Sequence, residues 1–214
     1  MALSKVDYNS LNVTPVASKA LKWNSTPNGF ETGNVGGSLV LLETQTASSS
    51  ATVSFTSDID DTYKEYIFKF YDIHPATDDT DLQFQVDTGT NTSYNQTMTT
   101  TCFDAYHIND TTSTNLGYVT NRDQAQGTSF QSISQDVGNG NDESLVGTLH
   151  LFEPSSGTFV KHFMARTNSH YSGNGSLDFY TAGYINTTTA LTRVQFKMES
   201  GNMDAGVIKM YGIT

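Results

Sequence analysis

The chain has 214 residues, enough for one large β domain or a domain plus an extension. Only 15% of residues are charged, and 22 acidic against 11 basic side chains leave a net charge of −11, a surface that repels phosphate and argues against partnership with nucleic acid or anionic lipid. A single cysteine, Cys102, excludes an intramolecular disulfide; no run reaches the roughly 18 apolar residues of a membrane helix and MALSKVDYNSL has no apolar leader core, so the expectation is synthesis in a reducing cytoplasm without membrane insertion.

Residues 1–37 differ from the rest. They hold the only Trp, two of the four prolines and scattered apolar side chains without a sustained period, and they end in Gly29, Gly33, Gly36 and Gly37. Leu3, Val6, Leu11, Val13, Leu21 and Trp23 are too many anchors for a free tail, which favours an attachment arm that orders on a partner subunit over a disordered leader. Val16–Trp23 suits a short strand or a turn of helix.

From Ser38 strands follow one another: 38–45, 51–55 with Val53 and Phe55 on one face, and the long run Tyr63–Pro75, YKEYIFKFYDIHP. Its odd and even positions are both largely apolar, which predicts a central strand covered on both sides, with Glu65 and Lys69 marking solvent. DLQFQVDTG alternates, with Leu82, Phe84 and Val86 inward and Gln83 and Gln85 outward. Residues 88–97 suit an exposed loop, 98–108 a strand with a short helix as rival, and 109–143 the longest irregular stretch. Strands return at 144–152 and 158–166 around the tight-turn sequence EPSSG, at 176–185 after an Asn174-Gly175 turn of type I′, at 191–199 and at 206–213. Nine to eleven strands with no long helix indicate an all-β, antiparallel β-sandwich, jelly-roll-like, over 38–214, preceded by the arm of 1–37.

The sequence holds no G-x-S-x-G, P-loop, dinucleotide glycine fingerprint or H-E-x-x-H. Cys102 and His107 fall on opposite faces of one strand, so Cys102 is expected in the core. His150 and His162 fall on neighbouring strands without further ligands. Asp58, Asp60 and Asp61 lie in one loop and Asp78, Asp79 and Asp81 in another; loop carboxylates suit calcium, yet they also suit ordinary turns. Glu143 and Glu153 flank one strand, with no acid/base geometry assignable. No metal, cofactor or catalytic group is implied. Tyr94, Tyr118 and Tyr171, with Asn95 and Asn121, fall near polar loops and leave contact with a glycan or protein partner open.

The strings ASSSATVSF (47–55), DDTYKEYIFKFYDIHPATDDTDLQFQ (60–85), AYHIND (105–110), LVGTLHLFEPSSGTFVKHFMA (145–165) and VQFKMESGNMDAGVIKMYGI (194–213) resemble virion structural proteins of tailed bacteriophages of marine bacteria and cyanobacteria. The start, MALSKVDYNSLNVTP, is similar to their leaders. The resemblance implies a non-enzymatic particle component made in the host cytoplasm and displayed on the virion, as a homotrimer contacting other virion proteins, tail or capsid subunits. It transfers no functional residues. Three roles then compete: a tail fibre or tail-tip appendage in host attachment, a capsid decoration (cement) protein, and, remotely, a glycan-binding or glycan-degrading module. Symmetric assembly would bury apolar surface of the Tyr63–Ile73 and 206–213 strands.

Overall fold

The computed structural model describes residues 19–23, 29–34, 39–110 and 113–213, and the chain divides into two compact units, Met1–Ser38 and Leu39–Thr214. The first contains an antiparallel hairpin, β1 (Lys19–Trp23) and β2 (Phe30–Asn34), in which Trp23 stacks on its register partner Phe30 at 4.4 Å. Leu3, Val6, Leu11 and Val13 lie outside the described residues, while Leu21 and Trp23 are exposed on β1.

The second unit is all-β and antiparallel. Its strands are β3 (Leu39–Ser50), β4 (Val53–Phe55), β5 (Glu65–Pro75), β6 (Leu82–Thr88), β7 (Met98–Ile108), β8 (Thr114–Tyr118), β9 (Ala125–Gly127), β10 (Gln131–Ser132), β11 (Leu145–Phe152), β12 (Lys161–Tyr171), β13 (Gly175–Ile185), β14 (Leu191–Met198) and β15 (Met203–Ile213). A small sheet has the order β10-β6-β14-β4, and a large one β3-β15-β5-β11-β12-β13-β7-β8, with β9 beside β7. Apart from the local meanders β7-β8-β9 and β11-β12-β13, the chain changes sheet at every connection from β3 to β15. Among the described residues there are fifteen strands and no helix, more strands than the turn signals suggest, because the polar stretch 109–143 contributes β8, β9 and β10.

The two sheets bury one apolar core, and period-2 patterning decides which side chains enter it. Leu82, Phe84, Val86, Val194, Phe196 and Met198 come from the small sheet; Tyr66, Phe68, Phe70, Leu149, Leu151, Phe163, Ile208 and Met210 from the large one. Phe196 is the hub, with ring centroids 5.2 Å from Phe70, 5.3 Å from Phe68, 6.1 Å from Phe55 and 6.4 Å from Phe84.

β5 corrects the expectation that both its faces are covered. Tyr66, Phe68 and Phe70 face the core; on the outer side Ile67 is buried among its neighbours, Glu65 and Lys69 are half-buried and Tyr71 is exposed. A bulge at Asp72, in the left-handed region at φ 49°, then shifts the alternation, and Ile73 joins the core instead of following Tyr71 outward. On the neighbouring β15 the single residue Gly206, φ 126°, stands opposite the two bulge residues Asp72 and Ile73, where a β-carbon would lie 2.8 Å from the Cα of Ile73 and 2.9 Å from the carbonyl oxygen of Asp72. Two turns also differ from expectation. Asn174, at φ 60°, ends a three-residue β12-β13 loop in which Gly175 is already paired with Tyr171, so the turn is not a two-residue type I′. The EPSSG turn widens to a loop over 153–160.

That loop is pinned from beneath. Lys161 is fully buried, and its Nζ donates to the carbonyls of Ser156 (2.6 Å), Thr187 (3.1 Å) and Phe159 (3.3 Å). Burial lowers the ammonium pKa, and the three acceptors hold the charge in place of a carboxylate.

Gly206→Ala forces a side chain into strained backbone against Ile73. It is expected to lower the unfolding free energy by about 2 kcal/mol, read from the urea midpoint, with the native strand content by circular dichroism retained.

Candidate functional site

The residues expected to form a binding surface do not come together. Tyr94 is buried: its backbone amide donates to Asp87 Oδ2 (2.9 Å), and its backbone takes φ 47°. Asp87 is itself buried and also accepts from the Thr88 amide (2.8 Å) and Gln96 Nε2 (3.1 Å), so the 88–97 loop folds over the outer side of the small sheet. The same cover buries Gln85, expected outside, whose Nε2 donates to the carbonyls of Gln96 (2.9 Å), Ser129 (3.1 Å) and Thr128 (3.3 Å). Asn95 remains exposed at the loop surface. Tyr171 lies on the inner side of β12, partly buried against a second small core of Cys102, Leu177 and Phe179 and stacked on Tyr106 at 6.3 Å. Tyr118 is exposed on β8, its hydroxyl donating to Asp123 Oδ2 at 2.6 Å, and Asn121 is exposed beyond it. These tyrosines occupy three different surfaces.

Residues 119–137 are likewise not a free loop. The large sheet is wider than the small one, and this segment covers the surplus inner face. Thr167 and Thr181 hydroxyls donate to the carbonyls of Ile133 (2.6 Å) and Ser132 (3.2 Å), and Ile133, Val137 and Gln131 are fully buried.

The segment is clamped by an ion cluster that accounts for the second acidic loop. Asp81 is buried, with Oδ2 2.5 Å from Arg122 Nε; Arg122 Nη2 reaches Asp136 Oδ1 at 3.1 Å, and the Asp136 amide donates to Asp81 Oδ1 at 3.0 Å. Burial raises the Asp81 carboxyl above the usual range, with the Asp136 amide and the guanidinium opposing it. Burial pulls the guanidinium down, but the attraction of Asp81 leaves it raised on balance. Asp79 accepts from the Ser172 hydroxyl (2.9 Å) and Asp78 from the Asn139 amide (3.2 Å). In the first acidic loop Asp60 Oδ1 accepts from the Thr62 amide (2.8 Å) and the Tyr66 hydroxyl (3.2 Å), and hydrogen bonds from Thr62 hold its carboxyl below the usual range. Both acidic loops spend carboxylates on their own donors, and among the described residues no three His, Cys, Asp or Glu side chains are grouped to hold a metal.

Cys102 is buried, and burial pushes its thiol up to about 11. His107, exposed on the same strand, faces the other way. His150 Nδ1 meets Glu65 Oε1 at 2.5 Å, and His162 lies beside Tyr184 on β13. Glu153 pairs with Lys64 (3.1 Å), and Glu143 with His170 (3.0 Å). The whole of β11, about 27 Å at a strand's rise per residue, separates those two glutamates, too far for one acid/base pair.

What the fold does leave open is the outer face of the large sheet. Register aligns its side chains in rows across the strands. One row runs from Lys209 through Lys69, Thr148 and Arg166, and continues through Tyr180 and Phe103 to Tyr118 on β8. Seven strands at about 4.8 Å spacing make it about 29 Å long. Arg166 holds Asp178 through Nη2 (2.7 Å) and Nε (3.1 Å) and lies 5.1 Å from the Tyr180 ring, which stacks on Phe103 at 4.6 Å with planes 6° apart. Beside the row is a shallow hollow of about 650 Å³ with Ala182, Gly183 and Thr101 among its lining and with Phe152, His162, Met164 and Tyr184 around them. Leu41, Tyr71, Val146, Met164 and Leu116 add exposed apolar surface to this face. Among the described residues no helix is long and apolar enough to cross a membrane. Comparisons with protein-family models, with curated proteins and with solved structures find no match.

Arg122→Met strands the buried Asp81 carboxylate and is expected to cost about 3–5 kcal/mol at neutral pH. The folded carboxyl pKa stands above its unfolded value, so the folded state takes up the proton first. Losing the guanidinium raises that folded pKa further, so the deficit is smallest where wild type and variant both hold the proton, below the ordinary carboxylate range, and grows with pH until the variant's carboxyl also ionises; a loss independent of pH in urea titrations contradicts the assignment. The Cys102 thiol is expected to resist a disulfide reagent such as DTNB at pH 8 in the folded protein and to react fully in urea.

Proposed function

We propose that this chain is a non-enzymatic virion structural protein of a tailed bacteriophage, most simply a tail-fibre or tail-tip appendage with a role in host attachment. The N-terminal segment anchors it to other virion proteins, and the sandwich is displayed. The observation that carries the reading is the broad outer face of the large sheet, with Leu41, Met164, Phe103, Leu116 and Tyr118 exposed on it. Contiguous exposed apolar and aromatic surface marks an interaction face. The resemblance of the strings along 47–213 to virion proteins supports the same reading.

We take the topology as jelly-roll-like. Its support is the small sheet's order β4-β14-β6-β10 and the passage of the chain between sheets at almost every connection. The chain buries its core without a disulfide, which suits a particle part assembled in a cytoplasm and used outside the cell. The particle form is a homotrimer.

Purified virions separated on a stained gel test this. The expected result is the chain present at tens of copies per particle; hundreds of copies transfer it to capsid decoration, and its absence from particles removes the virion reading. Light scattering on the purified protein is expected to return three times the 23.4 kDa chain mass.

A further inference from the structure

We propose that the row across the outer face of the large sheet binds an acidic polysaccharide laid across the strands. The inference names the ligand class of the attachment role and rests on that reading.

The starting point is a pair of like charges. Lys209 and Lys69 are direct register partners on neighbouring strands, and both lie on the outer face. Like charges directly opposite one another destabilise a sheet. Neither lysine has a carboxylate within ion-pair distance among the described residues. Each is laid instead along a tyrosine: Lys69 Nζ is 5.6 Å from the Tyr211 ring and Lys209 Nζ 5.4 Å from the Tyr71 ring. The two ammonium groups start from one register pair and lean onto tyrosines at opposite diagonals, so this face of a chain of net charge −11 offers two separate free cations to external anionic groups.

The rest of the row sets what kind of anion. Past Thr148 and Arg166, whose charge Asp178 already neutralises, the row becomes aromatic, with Tyr180 stacked on Phe103 and then Tyr118. Phe103 is 43% and Tyr118 55% exposed. Charge at one end and the exposed Phe103 and Tyr118 rings at the other suit an extended polymer with sparse carboxylates or sulfates, its sugars against those two rings and its acidic groups on the two lysines. A polynucleotide carries a phosphate at every residue, and the acidic remainder of the protein repels it. A second copy of this chain is equally acidic, and a two-fold contact through this face would bring the lysine pair close to its own image.

Affinity electrophoresis and calorimetry with hyaluronate and with sparsely carboxymethylated dextran test the site, with neutral dextran and oligothymidylate as comparison probes. At least one acidic polymer is expected to bind, weakening with salt, while neutral dextran does not. Lys69→Gln/Lys209→Gln is expected to lose at least tenfold in affinity and Tyr118→Ala severalfold, both retaining the wild-type melting temperature to within a few degrees. Equal binding by the double variant, binding of neutral dextran, tighter binding of oligothymidylate, or no binding of either acidic polymer overturns the proposal. Particle stoichiometry is read independently: a chain present on virions that binds neither polymer loses only this site, and one that binds but is missing from virions loses only the virion role.

Discussion

The packing of Phe196 between the two sheets is the contact on which the rest depends. It projects from β14, in the middle of the small sheet, into a group of rings contributed by β4, β5 and β6. Edge-on and tilted aromatic pairs of this kind add about 0.5–1.5 kcal/mol each beyond the apolar area they bury. A chain whose single cysteine forms no internal disulfide has to draw stability from such burial. Because this core uses the inner face of the large sheet, the opposite face is left to the surroundings.

The unequal width of the sheets explains most of the remaining architecture. Four strands cannot cover nine, and the surplus inner face of β12, β13 and β7 is sealed by a polar segment whose only small-sheet strand is the two-residue β10. Residues 119–137 do this with threonine-to-carbonyl bonds and the Asp81–Arg122–Asp136 cluster. A polar sequence is suited to that work, since covering backbone and hydroxyl groups demands hydrogen bonds as much as apolar area. The bulge at Asp72, accommodated by Gly206 opposite it on β15, keeps Ile73 in the core.

Particular residues show how far pattern reading reaches. The alternation of 191–198 and 82–86 gave the core face without error at Phe196, Val194, Phe84 and Val86, and Cys102 is buried as its small apolar character suggests. Gln85 and Tyr94 went the other way. Both are polar or amphipathic residues in segments that look solvent-facing; Gln85 is buried because the carbonyls of Gln96, Thr128 and Ser129 close over it, and Tyr94 because its own loop folds back onto Asp87. Asp81 looked like a turn residue or cation ligand, and its partner Arg122 lies 41 positions away, beyond any local motif. The lysine pair was invisible for the same reason: Lys69 and Lys209 stand 140 residues apart and meet only through strand register.

The sequence by itself determined the all-β class, the strands with clean period-2 patterning and the character of the core, because these follow from local propensity and from which side chains avoid water. Only the tertiary structure decided which strands are neighbours, which polar segment becomes cover and which face of Glu65–Pro75 stays open. Those outcomes depend on register between strands far apart in the chain, where one residue of slip exchanges the buried face for the exposed one.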